Sequence, residues 1–465
     1  MFSSETYINR RELIKNKLQT GILLFLGNEE SAMNYQDNTY PFRQDSTFLY
    51  YFGISSPGLA AIIDIDENRE IIFGDEMSID DIVWMGRQET LAEKSKKTGI
   101  SNIQPYNHVQ KYLERAMAKQ RPVNFLPPYR PENKIKLGHL FGINLQALTS
   151  AVSVPFIKAV VEQRSVKSTE ELDKITLAVN TTSEMHLMAM RTARPGMTEN
   201  DIAALIHAAA LAKGGSLAYP VILTVHGEIL HNHSRGNIFK DGNLILNDSG
   251  FETAMGYCAD LTRTFPAGKT FTSKQRDVYN IVANAVNTAA TGLKPGKKFL
   301  DVHFTACKVL AEGLKELGLM KGNVDDAVAA GAHAMFFQCG TGHMMGLDVH
   351  DMEDMGEQYV GYTEMLKKET KLFGLKSLRL GKELEPGFVF TIEPGIYIIP
   401  ELIDLWRSEN KFADFINYSK LEEYRDFGGI RIENNYAITA NGYKILGNPL
   451  AETVEEIENI RSFAY

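Results

Sequence analysis

Four carboxylates and one imidazole are spread over the C-terminal half of this 465-residue chain: Asp248, Asp260, His343, Glu393 and Glu433. Hard, oxygen-rich donors of this kind suit paired Mn²⁺, Co²⁺ or Zn²⁺ and not Cu(I) or iron–sulfur clusters, which want thiolates. Two such ions about 3.5–4 Å apart activate water and polarise a carbonyl, the equipment for hydrolysis. Each residue stands in its own short word. Asp248 closes Leu244-Ile245-Leu246-Asn247-Asp248, Asp260 opens Asp260-Leu261-Thr262-Arg263, and His343 ends Gly340-Thr341-Gly342-His343. Glu393 precedes Pro394-Gly395, and Glu433 ends Ile430-Arg431-Ile432-Glu433. Taken singly, an Asp at a strand end or a Glu before Pro-Gly is a turn residue. Their order and their flanking words lift the set above that reading.

The elements that must position them are partly visible. Gly21-Ile22-Leu23-Leu24-Phe25-Leu26-Gly27 reads as a buried strand, far too short to span a membrane. Leu59 to Ile65 and Glu70 to Gly74 read as strands, Val109 to Lys119 as a helix, and Val123 to Leu126 as a further short strand. Alternation of this sort predicts an α/β domain. A boundary falls near Arg164. Ser168 with Glu171 forms a capping box that opens a helix to about Arg191, broken by Arg194-Pro195-Gly196. Thr198 with Asp201 opens a second, stopped by Gly214-Gly215, and Thr272 with Gln275 a third, to about Thr291. Domains over residues 1–164 and 165–465 are therefore expected. The polar segments Gly356 to Leu384 and Pro400 to Asp426 read as insertions at the rim of the site, solvated excursions on general loop behaviour.

Composition narrows the function. The length favours two domains, and 44% hydrophobic with 23% charged residues is a globular composition. A net charge of −9 argues against a nucleic-acid partner, which would call for a basic stripe. The cysteines Cys258, Cys307 and Cys339 are too few for a disulfide scaffold and no CxxC occurs, so a reducing cytoplasm is expected. The first residues lack the apolar core of a secretory signal, and no membrane association is expected.

The order Asp…Asp…His…Glu…Glu in these contexts resembles the pita-bread metallopeptidases: aminopeptidase P, prolidase and, more distantly, methionine aminopeptidase. The resemblance runs from Phe42-Arg43-Gln44-Asp45-Ser46 to Thr453-Val454-Glu455-Glu456-Ile457-Glu458. It implies an α/β (α+β) fold: an N-terminal creatinase-like α/β domain, then a pita-bread domain with a curved antiparallel sheet and covering helices. It also implies two divalent ions, Mn first and Co or Zn next. Asp248 would be bidentate to one ion, Asp260 and Glu433 would bridge, and His343 and Glu393 would hold the other. Glu393 would also take the proton of the attacking water. By the same resemblance His231, in Ile229-Leu230-His231, stands near the scissile nitrogen. His350, in Gly346-Leu347-Asp348-Val349-His350, stands near the oxyanion, and an imidazole suits either task near pH 7. Arg431, two residues before Glu433, shares its face of a strand, and Tyr397 matches a pocket tyrosine. His108, His139, His186, His207, His226, His233, His303 and His333 lack such flanking matches and read as structural. Two departures stand out. Cys339 occupies a position where the family usually has His, and Val221 to Glu228 replaces a longer turn upstream of His231.

A domain like residues 1–164 accompanies aminopeptidase P and the longer prolidases, which cleave Xaa-Pro bonds. Proline lacks an amide N–H and has a fixed φ, so it demands a dedicated pocket. Ser377-Leu378-Arg379 resembles the long prolidases, where the Arg grips the dipeptide's carboxylate, a charge-assisted and bidentate type of contact. Tyr40-Pro41-Phe42-Arg43-Gln44 and Val83-Trp84-Met85-Gly86-Arg87 look like aminopeptidase P instead. A prolidase-like dipeptidase acting on short proline-containing peptides is the favoured reading, with an Xaa-Pro aminopeptidase as the alternative. A metal-depleted binding module of the same fold is the alternative from another class. The family also implies a homo-oligomer, dimer or tetramer.

Overall fold

In the computed structural model, which describes residues 1–464, the apolar run Ile22–Leu26 forms strand β1 of a five-stranded mixed sheet. β1 pairs antiparallel with β2 (Ala60–Asp64), and β2 antiparallel with β3 (Arg69–Phe73). The short β4 (Ile103–Gln104) and β5 (Val123–Phe125) run parallel to β3 and β1, giving the order β4-β3-β2-β1-β5. Ile22, Leu23, Ile62, Ile63, Ile71 and Ile72 are all sealed from solvent, so both faces of the sheet are covered. Val109, Leu113 and Ala116 of the helix His108–Ala118 pack on one of them. This sheet and its helices make up one compact unit, Met1–Arg164 together with Met352–Tyr359.

The second unit takes in Ser165–Asp351 and the chain from Val360 onward. Its long helices begin where the capping boxes predict. Ser168 and Glu171 cap Thr169–Thr192, Thr198 and Asp201 cap Glu199–Ala212, and Thr272 and Gln275 cap Ser273–Thr291. The strands fall in two groups. In the first, β6 (Ser216–Leu217) pairs with β9 (Phe251–Glu252), while β7 (Ile222–Thr224), β8 (Leu244–Ser249) and β10 (Leu261–Pro266) run in the order β10-β8-β7. In the second, β12 (Gly395–Tyr397) pairs with β13 (Gly429–Arg431). β11 (Val389–Ile392), β14 (Asn434–Ile438) and β15 (Tyr443–Ile445) run in the order β11-β14-β15. Every pairing in this unit is antiparallel. Single bridges at Thr262↔Glu433 and Met344↔Phe390 stitch the groups to each other and to the His343 segment. Among the described residues no helix is long and apolar enough to cross a membrane.

The two polar segments are largely solvated, as their composition predicts, but each is also anchored by buried apolar side chains. Leu378, Leu380 and Leu384 are buried, and the Tyr362 hydroxyl donates to the Leu378 carbonyl at 2.8 Å. Ile403 and Trp406 of the helix Pro400–Ser408, with Ile416 and Leu421 beyond it, are buried as well. A few apolar side chains per segment suffice to anchor it, and the charged majority hides them from a composition-based reading.

Candidate metal centre

The register of β8 against β10 pairs Asp248 with Thr262, and Asp260 sits one residue before β10 begins. Antiparallel neighbours that face each other bring both carboxylates to one end of the pair. Tyr219 then joins them. Its hydroxyl lies 2.6 Å from Asp248 Oδ1 and also contacts Asp260 Oδ1. A phenol has one proton to give, so the second contact sets a lone pair against a carboxylate unless a proton or a cation intervenes. The Asp260 backbone is pinned by Asn435, whose side-chain oxygen accepts from Asp260 N–H at 3.1 Å.

His343 is delivered by a close backbone crossing. A Cβ on Gly342 would lie 2.0 Å from the Thr391 carbonyl oxygen, so only glycine lets the chain pass β11 here. His343 N–H donates to Thr391 Oγ1 at 3.1 Å, and Thr391 N–H to the His343 carbonyl at 3.0 Å. His343 Nδ1 faces the Met344 carbonyl at 3.1 Å, which assigns the ring proton to Nδ1. Nε2 then offers its lone pair into the site, 3.4 Å from Asp260 Oδ2 and 3.4 Å from Glu393 Oε1. Glu393 Oε1 in turn accepts from Thr391 Oγ1 at 3.2 Å. Glu433 enters from the bridge opposite Thr262. Its Oε2 accepts from Thr262 Oγ1 at 2.7 Å, while the buried Oε1 has no hydrogen-bond partner. Ligand atoms of Asp260, His343 and Glu433 lie within 4.8 Å of one another.

So many buried carboxylates resist ionisation. Burial, then the carboxylates of Asp260 and Glu393, drives Glu433 well above the usual range. Glu393 is also raised, by burial against the pull of His343, and Asp248 by burial against the pull of Arg431. His343 is held above its ordinary value because the Asp260 and Glu393 carboxylates outweigh the opposing effect of burial. Four carboxylates face one guanidinium and one imidazole, and an acceptor oxygen of Glu433 is left over. A buried polar atom without a partner and an unbalanced cluster of charge are both expensive. Divalent cations answer both deficits, and the donor set is of the right hardness. The residues present therefore fit the metal that the sequence implies.

Around the five, Arg431 reaches in from β13. It contacts Asp248 Oδ2, donates to the Tyr397 hydroxyl at 3.0 Å and to Thr262 Oγ1 at 3.1 Å. The His350 ring stands edge-on to His343 with centroids 4.3 Å apart. Cys339 is partly exposed, and its thiol is pushed up to about 12 by desolvation and by Glu393, with Arg431 and Tyr397 acting the other way. His231 is exposed. Its pKa is lowered by desolvation and then by the guanidiniums of Arg431 and Arg379, which puts all three in one electrostatic neighbourhood. No hydrogen bond ties the His231 ring to the five among the described residues. Arg379 is half-buried. Tyr219, Thr262, Thr391 and Asn435 escape a reading of the sequence. Thr262 and Thr391 carry a faint signal, each two residues from a metal-type side chain in a strand-like word, whereas nothing local marks Tyr219 or Asn435.

Comparison with known proteins identifies the family. The model of metallopeptidase family M24 matches residues 173–440, and that of the aminopeptidase P N-terminal domain matches residues 7–124. The chain is 30% identical over 471 residues to the Xaa-Pro dipeptidase of Rattus norvegicus, covering 97% of this chain and 92% of the relative. It is 29% identical over 469 residues to the Xaa-Pro aminopeptidase of Escherichia coli (strain K12), covering 98% and 97%. The solved structure of zinc-substituted E. coli aminopeptidase P in complex with product matches with a TM-score of 0.80 at 27% identity, covering 100% of this chain and 99% of that one. The expected fold, an N-terminal α/β domain followed by a pita-bread domain, is the one shared with that structure. With its carboxylate–imidazole cluster, this fold and a family model spanning more than half its length, the chain belongs to metallopeptidase family M24.

Proposed function

We propose that this chain is a two-metal exopeptidase that hydrolyses Xaa-Pro bonds, and that it works as a prolidase-like dipeptidase on short proline-containing peptides. The observation that carries the metal part is the buried Glu433 Oε1, left without a partner among four carboxylates and one inward-facing imidazole nitrogen. In this reading Asp248, Asp260, His343, Glu393 and Glu433 hold two divalent ions, Mn²⁺ first and Co²⁺ or Zn²⁺ next. When bound, such ions polarise a carbonyl and make water acidic enough to react near neutral pH. Glu393 takes up the water proton, and its burial makes it a stronger base than a free carboxylate. His350 and Arg431 face the developing oxyanion, His231 serves the leaving nitrogen, and Tyr397 and Cys339 line the pocket. Arg379 binds the free carboxylate of the dipeptide, supported by its shared neighbourhood with His231 and Arg431.

A metal-depleted binding module is disfavoured, because all five ligand-type side chains converge. The domain limits 1–164 and 165–465, a homo-oligomeric state and a cytoplasmic setting belong to the proposal. The last is supported by Cys307 and Cys339, neither of which forms a disulfide. A second reading, an Xaa-Pro aminopeptidase, draws support from the N-terminal domain match at residues 7–124. Product analysis on Xaa-Pro, Xaa-Pro-amide and Xaa-Pro-Yaa with added Mn²⁺ separates the two. The dipeptidase reading expects free proline from Xaa-Pro as the fastest reaction. Faster release of Xaa from Xaa-Pro-Yaa would overturn it in favour of the aminopeptidase.

A further inference from the structure

A second cluster of metal-type side chains lies outside the site just described. His303 and Cys307 sit four residues apart on the helix Phe299–Glu316, a spacing that puts both on one face. His333 comes from the 3₁₀ turn Ala332–Met335. One ligand atom from each lies within 4.8 Å of the other two. His303 and Cys307 are fully buried, and His333 is 3% exposed. His303 Nε2 is 3.5 Å from Cys307 Sγ. Tetrahedral zinc with ordinary bond lengths sets a nitrogen and a sulfur ligand about 3.6 Å apart. His303 Nδ1 is 2.8 Å from Thr341 Oγ1, an arrangement that fixes the ring and leaves Nε2 free to coordinate.

His333 supplies the independent observation. It is deeply buried, and neither ring nitrogen makes a hydrogen bond of good geometry, the Val328 carbonyl being the acceptor near the ring. Buried polar side chains are almost always satisfied, so such a residue points to a missing partner. Burial holds both imidazoles neutral at physiological pH: His303 falls to about 3, and His333 to about 4, with the nearby Val328 carbonyl working the other way. Neutral rings keep the lone pairs that a metal needs.

We propose that His303, Cys307 and His333 form a second metal site, for a borderline ion of the Zn²⁺ type. One thiolate and two imidazoles are softer than the carboxylate centre and select against Mn²⁺. Binding converts the Cys307 thiol to a zinc thiolate and releases one proton per ion to solvent, with no change of oxidation state. Three protein donors leave one tetrahedral position for water. The site has a structural consequence. Thr341, bonded to His303, lies two residues before His343, and its carbonyl accepts from Glu393 N–H at 2.8 Å. An ion here would brace the segment that carries His343 and accepts a hydrogen bond from the Glu393 backbone.

The test uses the full-length protein, stripped with a chelator and titrated with Co²⁺. A cobalt–thiolate bond gives an intense near-ultraviolet charge-transfer band, which carboxylate sites do not. The expected result is a band whose amplitude, once all sites are filled, corresponds to one cobalt–thiolate per chain, lost in Cys307→Ser and in His333→Gln and kept in Cys339→Ser. Circular dichroism of the variants checks that they fold. If Cys307→Ser does not, the wild type and Cys339→Ser still decide. Absence of the band in wild type, its survival in a folded Cys307→Ser, or its loss in Cys339→Ser would overturn the proposal.

Discussion

Asp260 divides its two carboxylate oxygens between different neighbours, Oδ1 against the Tyr219 hydroxyl and Oδ2 beside His343 Nε2. In the proposed two-ion centre such a residue would be shared between the ions, and Glu433, with one oxygen held by Thr262 and the other unpartnered, would be the second shared ligand. Asp260→Ala or Glu433→Ala should therefore lower kcat/KM by at least about 100-fold, ~2.7 kcal/mol of transition-state stabilisation. Elemental analysis should show the metal gone as well. Retention of two ions in both variants would contradict the ligand assignment. Cys339 bears on rate in a different way. A thiol held near 12 stays protonated and neutral, so it cannot carry the charge of an imidazole. Cys339→His should raise kcat/KM on Xaa-Pro with metal content unchanged, and a fall would mean the pocket is built around the thiol. Arg379 carries the choice of substrate length. Losing a charge-assisted bond to the dipeptide carboxylate costs about 2–5 kcal/mol. Arg379→Ala should depress kcat/KM for Xaa-Pro by roughly 30-fold or more. Xaa-Pro-amide, which lacks the charge, should be poor with wild type and little worse with the variant, and equal damage to both substrates would rule the contact out. At this scale the sequence showed the side chains that end in unusual words, because those words survive without the fold. Tyr219 touches two of the five residues from a position that nothing local distinguishes, and only the tertiary structure brings it there.

The crossing of the Gly340–His343 segment over β11 shows what an element demands of one residue. A Cβ at Gly342 would meet the Thr391 carbonyl at 2.0 Å and the Phe299 ring at 2.9 Å, and neither backbone nor packed aromatic can yield cheaply. Gly342→Ala should cost at least about 1–3 kcal/mol, the range for overpacking a tight site, and displace His343. Gly292 is the control, since an added Cβ there would meet nothing within 4 Å and its backbone is already αR. Gly292→Ala should change stability by less than about 0.5 kcal/mol. Chemical denaturation of both variants checks the contrast, and equal loss in the two would remove the crossing as the reason for glycine. Elements were legible where local chemistry marks them. Ser168, Thr198 and Thr272 each announce a helix by pairing with an acidic or amide residue three positions on, and the boxes form as read. Apolar runs such as Ile22–Leu26 likewise announce a strand. Strand partners were not legible, because antiparallel pairs such as β8 with β10 or β11 with β14 are chosen by tertiary packing. The buried leucines of 378–384 were missed for a related reason: in a short segment, three anchors do not form a period.

For the molecule as a whole, the raised carboxyl groups of the metal centre make stability depend on pH. Glu433, Glu393 and Asp248 have folded-state pKa values lifted above those of the unfolded chain, in each case by burial first. Their contribution is fully present below the unfolded-state value, about 4, and is lost as pH rises through the folded values. The metal-free protein should thus lose stability on this account as pH climbs above ~4. Divalent ions bind the deprotonated forms, so their stabilisation grows over the same window. The gap in thermal midpoint between Mn²⁺-loaded and metal-stripped protein should widen from pH ~4 to ~7. Calorimetry on the two forms measures this, and because other titrating groups largely cancel in the difference, a pH-independent gap would contradict it. The most direct measurement follows release of free proline from an Xaa-Pro dipeptide by chelator-stripped protein as Mn²⁺ is added back. The expected result is no release without metal, a rise that levels off at about two ions per chain, and silence in Asp260→Ala at every Mn²⁺ concentration. Metal-independent release of proline, or full activity in Asp260→Ala, would contradict a metal-dependent Xaa-Pro peptidase built on these five residues.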